Sequence, residues 1–139
     1  MAVNNICGQH WLKTTLLALP VLVSVTAVAA ADEMLDRGKY LVTFGGCGDC
    51  HTPWGENGPD DTRAFQGAPT GLPSPLAEYA PAIAGIPGHL TEEQFVSLLV
   101  TGKRPDGSSP RDPMPRYRLT EDDARAVARA RQSCGCARR

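Results

Sequence analysis

Large apolar side chains are scarce after residue 32, and aromatic residues make up only 6% of the chain. A domain built from residues 32–139 therefore has little apolar surface of its own to bury and needs something beyond its own core. No run of alternating apolar and polar residues of any length occurs there, which argues against a sheet-based fold. Internal repeats are also missing, so a solenoid or propeller is excluded. Histidine is rare: beyond residue 32 only His51 and His89 remain, too few for a zinc site of finger-like spacing. The arginines are interspersed with acids and lack an aromatic platform, so nothing points to a nucleic-acid binder.

What is present begins with a hydrophobic leader. Lys13 is the one charge before an apolar run that includes Leu16, Leu17, Leu19, Val21, Leu22, Val23, Val25 and Val28. Small residues follow at Ala27, Ala29, Ala30 and Ala31, then the first acids, Asp32 and Glu33. That order is the order of a secretory signal peptide, residues 1–31, with cleavage after Ala29 or Ala31. The competing reading is a retained membrane anchor, because the run approaches spanning length. Export implies a periplasmic protein and removes Cys7, His10 and Trp11 from any functional role.

Charge is balanced overall but not along the chain: residues 32–102 hold three cations and ten acids, residues 103–139 ten cations and five acids. The plain reading of the cationic end is a solvated, arginine-rich helix face; the alternative is a docking patch for a partner protein.

Residues 32–133 read as one all-α domain, followed by a Cys/Arg tail over 134–139. Asp32 to Phe44 is expected to be helical, with Met34, Leu35, Leu41 and Phe44 offering apolar contacts. From Thr52 to Gly88 the chain is dense in proline and glycine, which disfavour regular structure; a short helix is expected only near Leu76–Ile83. A loop of that length in a compact domain calls for a function, such as wrapping the edge of a cofactor. Thr91-Glu92-Glu93-Gln94 is a capping box opening a helix that carries Phe95, Leu98 and Leu99 and stops at Gly102. Thr120 precedes three acids, Glu121, Asp122 and Asp123, that suit the positive end of a last helix. Ala124, Val127 and Ala128 form its thin apolar stripe.

The strongest signal is Cys47-Gly48-Asp49-Cys50-His51. Residues three and four apart share a helix face. Both thiols can therefore add to the two vinyl groups on one edge of a porphyrin, while His51 reaches the iron from the same side. Gly45, Gly46 and Gly48 are expected where backbone runs close to the ring. C-x-x-C-H is the spacing of c-type haem attachment, and export strengthens the reading, since such thiols would otherwise pair in an oxidising compartment. A thioredoxin-like site would need a strand–helix–strand setting that is missing, and a Cys47–Cys50 disulfide would leave His51 unexplained. For the second axial position Met114, held in Asp112-Pro113-Met114-Pro115, is the leading residue and His89 its rival. A soft thioether on a pre-set backbone favours ferrous iron and suits an electron carrier. If Met114 does not bind, the iron keeps an open site, as in a haem enzyme or gas sensor; a thiol or zinc protein without haem is the third possibility.

These residues resemble those of the small monohaem class I c-type cytochromes of bacteria. Gly38-Lys39-Tyr40-Leu41-Val42 with Gly45-Gly46-Cys47-Gly48-Asp49-Cys50-His51-Thr52-Pro53 is similar to the attachment region of cytochrome subunits that accompany periplasmic dehydrogenases. Leu90–Phe95 with Thr101-Gly102-Lys103 resembles the family's middle helix, and Pro113-Met114-Pro115 with Tyr117 and Leu119–Asp123 its methionine loop and last helix. The resemblance covers residues 34–130. It implies a class I cytochrome c-like fold around one covalent haem c, with His51 and Met114 as axial ligands. It further implies electron transfer rather than enzymatic chemistry, and redox partners such as a periplasmic dehydrogenase and a terminal oxidase or other cytochrome. The carboxyl end departs from the family: Ala130 and Arg131 stand where an aromatic and a leucine usually pack against the first helix, near Gly38 and Leu41. A weaker contact between first and last helices is the expected consequence. Cys134 and Cys136 lack the spacing and the histidine of a second haem site.

Overall fold

The computed structural model describes the backbone of residues 18–136 and the side chains of residues 31–133. The chain divides into two units, Met1–Glu33 and Met34–Arg139. Most of the proposed signal peptide thus lies outside the described residues; from Ala18 the first unit is helical. Among the described residues no helix is long and apolar enough to cross a membrane.

The chain is helix-rich, with two very short sheets. Helix α1 spans Ala18–Phe44, α2 Cys47–His51, α3 Glu92–Thr101 and α4 Glu121–Cys136. Trp54–Gly55 (β1) pairs antiparallel with Gly58–Pro59 (β2), and Ala68–Pro69 (β3) with Tyr79–Ala80 (β4). An all-α expectation therefore needs a small correction. Each strand is two residues long, too short to imprint an alternating pattern on the sequence. The helix expected near Leu76–Ile83 does not form. Pro73, Pro75 and Pro81 withhold backbone donors there, and the segment is drawn out instead, with Thr70 N–H donating to Glu78 O and Ala77 N–H to Asp112 O.

α3 forms as its termini dictate. Thr91 Oγ1 accepts from Gln94 N–H at 3.2 Å while Gln94 Oε1 accepts from Thr91 N–H at 2.9 Å. Such a cap contributes about 1 kcal/mol. Gly102 closes the helix with φ 65, a conformation that costs glycine nothing. Phe95, Val96 and Leu99 of α3 pack on Ala124, Val127 and Ala128 of α4, and Val42 of α1 joins them. That cluster is the core of the second unit.

The first and last helices come close at one crossing point, around Gly38. A Cβ built on Gly38 would lie 1.9 Å from the carbonyl oxygen of Ala126 and 2.9 Å from Ala130 Cβ. Small residues on both helices thus replace bulk by proximity of backbones. Arg37 fastens the crossing at its rim, donating to both carboxylate oxygens of Asp123 at 2.8 and 3.2 Å. α4 continues helically through Cys136, so the tail proposed to begin at 134 starts as the last turns of that helix; the side chains of Cys134 and Cys136 lie outside the described set.

Candidate cofactor-binding site

Gly45 and Gly46 break α1, and Gly46, with φ 64, starts the single turn of α2. Along that turn Cys47, Cys50 and His51, with Asp49, line a cavity of about 570 Å³. The volume lies within the range of small-molecule and cofactor sites. The lining also includes Ile83, Leu90 and Leu98, Val127 and Arg131 of α4, and Met114. Gly45 and Gly46 line the cavity; Gly48 faces the edge of Phe65, to which an added Cβ would come within 3.7 Å.

His51 is 6% exposed. Its Nδ1 lies 2.7 Å from the carbonyl oxygen of Pro81. A carbonyl only accepts, so Nδ1 carries the hydrogen. Burial pushes the imidazole below its usual range, which keeps it neutral. Neutral with Nδ1 protonated leaves the lone pair on Nε2, the form in which histidine binds a metal.

The long loop is tied around α2 by a small set of hydrogen bonds. Thr52 Oγ1 accepts from Phe65 N–H at 3.0 Å, and His51 O accepts from Gly67 N–H at 2.9 Å. Phe65 O accepts from both Ile83 N–H and Ala84 N–H. Phe65 is the one described non-glycine residue with positive φ, at 61. Gly67 has φ 83, and an added Cβ would lie 2.8 Å from both Ala80 O and Ala82 N. These contacts carry Pro81 to the imidazole.

Cys47 is half-buried and Cys50 exposed, and both are free thiols. Burial raises the Cys47 thiol, against the opposing pull of the Arg131 charge. Tyr117 donates its hydroxyl to Gly45 O, and burial, then the nearby Cys47, pushes its phenol up to about 12. Met114 is half-buried on the cavity wall, and its loop is held by Ala77 N–H on Asp112 O at 2.8 Å. His89 also reaches the wall but is exposed.

All four residues singled out from the sequence, Cys47, Cys50, His51 and Met114, therefore border one cavity. No protein-family model matches the chain, and no curated protein does. Among the described residues no group of three His, Cys, Asp or Glu side chains is set to hold a metal ion, so the zinc reading lacks a ligand set there.

Sequence reasoning missed three participants. Pro81 acts through its backbone oxygen, which leaves no mark on residue choice. Tyr117 was noted only as part of a resemblance. Arg131 was placed on a solvated face, yet it is 2% exposed, with its guanidinium 3.6 Å from the centroid of the Phe65 ring. Its signal was legible: Arg131 continues the stripe of Ala124, Val127 and Ala128 at helical spacing.

The residues present suit a covalently held haem. Two thiols and an imidazole share one helical turn, the imidazole has its outer nitrogen satisfied, a thioether borders the same cavity, and much of the lining is apolar.

Proposed function

We propose that this protein is a c-type cytochrome that holds one haem c covalently and carries single electrons between partner proteins in the periplasm. On this reading its finer architecture is that of the class I cytochromes c, and it is an electron carrier rather than an enzyme. The observation that carries the reading is the Cys47, Cys50 and His51 turn, with the His51 Nδ1–H on Pro81 O, facing a cavity that Met114 also borders.

Cys47 and Cys50 would hold the haem, each adding its S–H across one vinyl group, the sulfur to one carbon and the hydrogen to the other, with nothing released. His51, oriented by Pro81, would offer Nε2 to the iron. Met114 would offer its sulfur as the second ligand, and thioether ligation favours the ferrous state. A bound haem supplies a one-electron iron couple, Fe(III) plus an electron giving Fe(II). The apolar side chains around it, among them Ile83, Leu90 and Leu98, keep water from the metal. Cys50 is exposed, which would leave one edge of the site open to a redox partner.

The test is acid–acetone extraction of the exported protein from a host competent to attach haem. Haem that stays with the wild type, and is lost from a Cys47→Ser/Cys50→Ser double variant, supports the reading. Haem that extracts freely from the wild type overturns it.

A further inference from the structure

Arg131 is the least expected member of the cavity wall. Burying an arginine is costly in general, and here the whole residue is only 2% exposed. Its guanidinium lies over the Phe65 ring, 3.6 Å from the centroid, a cation–π contact in a desolvated setting. Phe65 is in turn fixed by Thr52, Ile83 and Ala84 through three backbone hydrogen bonds. The charge is thus held in place rather than swinging on a flexible stem. It borders the same cavity as His51 and Cys47.

We propose that Arg131 is a potential-setting residue: its fixed, buried positive charge on the cavity wall raises the reduction potential of the bound haem. This rests on the cytochrome reading above. Oxidation of the iron adds one positive charge to the site, and a nearby cation in a medium of low dielectric disfavours that addition. Reduction takes up one electron and leaves Arg131 unchanged. Arg129 of the same helix is exposed, so solvent screens the same charge there. Position, not net charge, is what distinguishes the two.

The experiment is potentiometric titration of the exported, haem-bearing protein, with spectra recorded to check that axial ligation is unchanged. Arg131→Gln is expected to shift the midpoint to more negative values, Arg131→Lys to stay nearer the wild type, and Arg129→Gln to shift it far less than Arg131→Gln. Arg131→Met, matched in length to the arginine stem, is a second neutral variant read in the same way should the glutamine variant not accumulate. A midpoint in the neutral variants equal to or above the wild type overturns the proposal, as does an equal shift from Arg129→Gln. A purely structural Arg131 would lower the melting temperature and leave the midpoint in place. Wild-type protein without attached haem would sink the parent reading and this one together; attached haem with an unmoved midpoint sinks this one alone.

Discussion

His51 and Pro81, thirty residues apart in sequence, are joined by a 2.7 Å hydrogen bond from ring nitrogen to backbone oxygen. The bond fixes both the tautomer and the plane of the imidazole. The acceptor is delivered by the loop that follows α2, and the fold of that loop depends on a glycine.

Gly67→Ala should therefore loosen the histidine as well as the protein. At φ 83 the alanine is strained, and its Cβ would press on Ala80 O and Ala82 N at 2.8 Å, on either side of Pro81. Left-handed strain alone costs about 1–2 kcal/mol. Urea denaturation should show at least that loss, with a shifted haem spectrum. An unchanged midpoint and spectrum would show that the loop does not hold the imidazole.

Gly38→Ala tests the helix crossing. Its Cβ would enter the van der Waals shell of Ala126 O, so α1 and α4 must separate, at a cost of about 1–3 kcal/mol or more. Ala130→Tyr should destabilise for the same reason, since Ala130 is buried against Gly38. Gly88→Ala, where an added Cβ meets nothing, is the control and should be neutral in the same denaturation series.

Met114→Ala should open the iron to carbon monoxide and lower the midpoint potential, because the thioether that favours ferrous iron is gone. His89→Ala should leave the visible spectrum as it is. The reverse pattern would make His89 the ligand.

Asp60 should titrate abnormally. Its carboxylate accepts from Thr62 N–H and Thr62 Oγ1 and pairs with Arg63 Nε at 2.7 Å, which lowers its pKa from 3.8 to about 2. A depressed pKa stabilises the folded state above the unfolded value, and that contribution is lost as pH falls from about 4 towards 2. Carbon-detected NMR of the Asp60 carboxyl should give a midpoint near 2 in the wild type and a higher one in the Thr62→Val/Arg63→Gln variant, which keeps only the Thr62 N–H donor.

Features written in local residue spacing were legible in the sequence: the Cys47–His51 turn, the Thr91–Gln94 cap, the Gly102 stop and the acidic start of α4. Those that depend on distant backbone were not. Pro81 contributes an oxygen that any residue carries, and β3 and β4 pair across nine intervening residues with too few positions to show a period. Leu76–Ile83 stays extended because Pro75 and Pro81 deny it the backbone donors a helix needs. Arg131 is buried because it continues the apolar stripe of α4 at helical spacing.

The central claim is a covalent haem with both axial positions filled from this chain. The visible spectrum of the exported protein, native and in both oxidation states, with and without carbon monoxide, tests it most directly. The account predicts a low-spin spectrum with the sulfur-to-iron charge-transfer band in the ferric state and no response to carbon monoxide in the ferrous state. A haem spectrum without that band, changing promptly on addition of carbon monoxide, would contradict it.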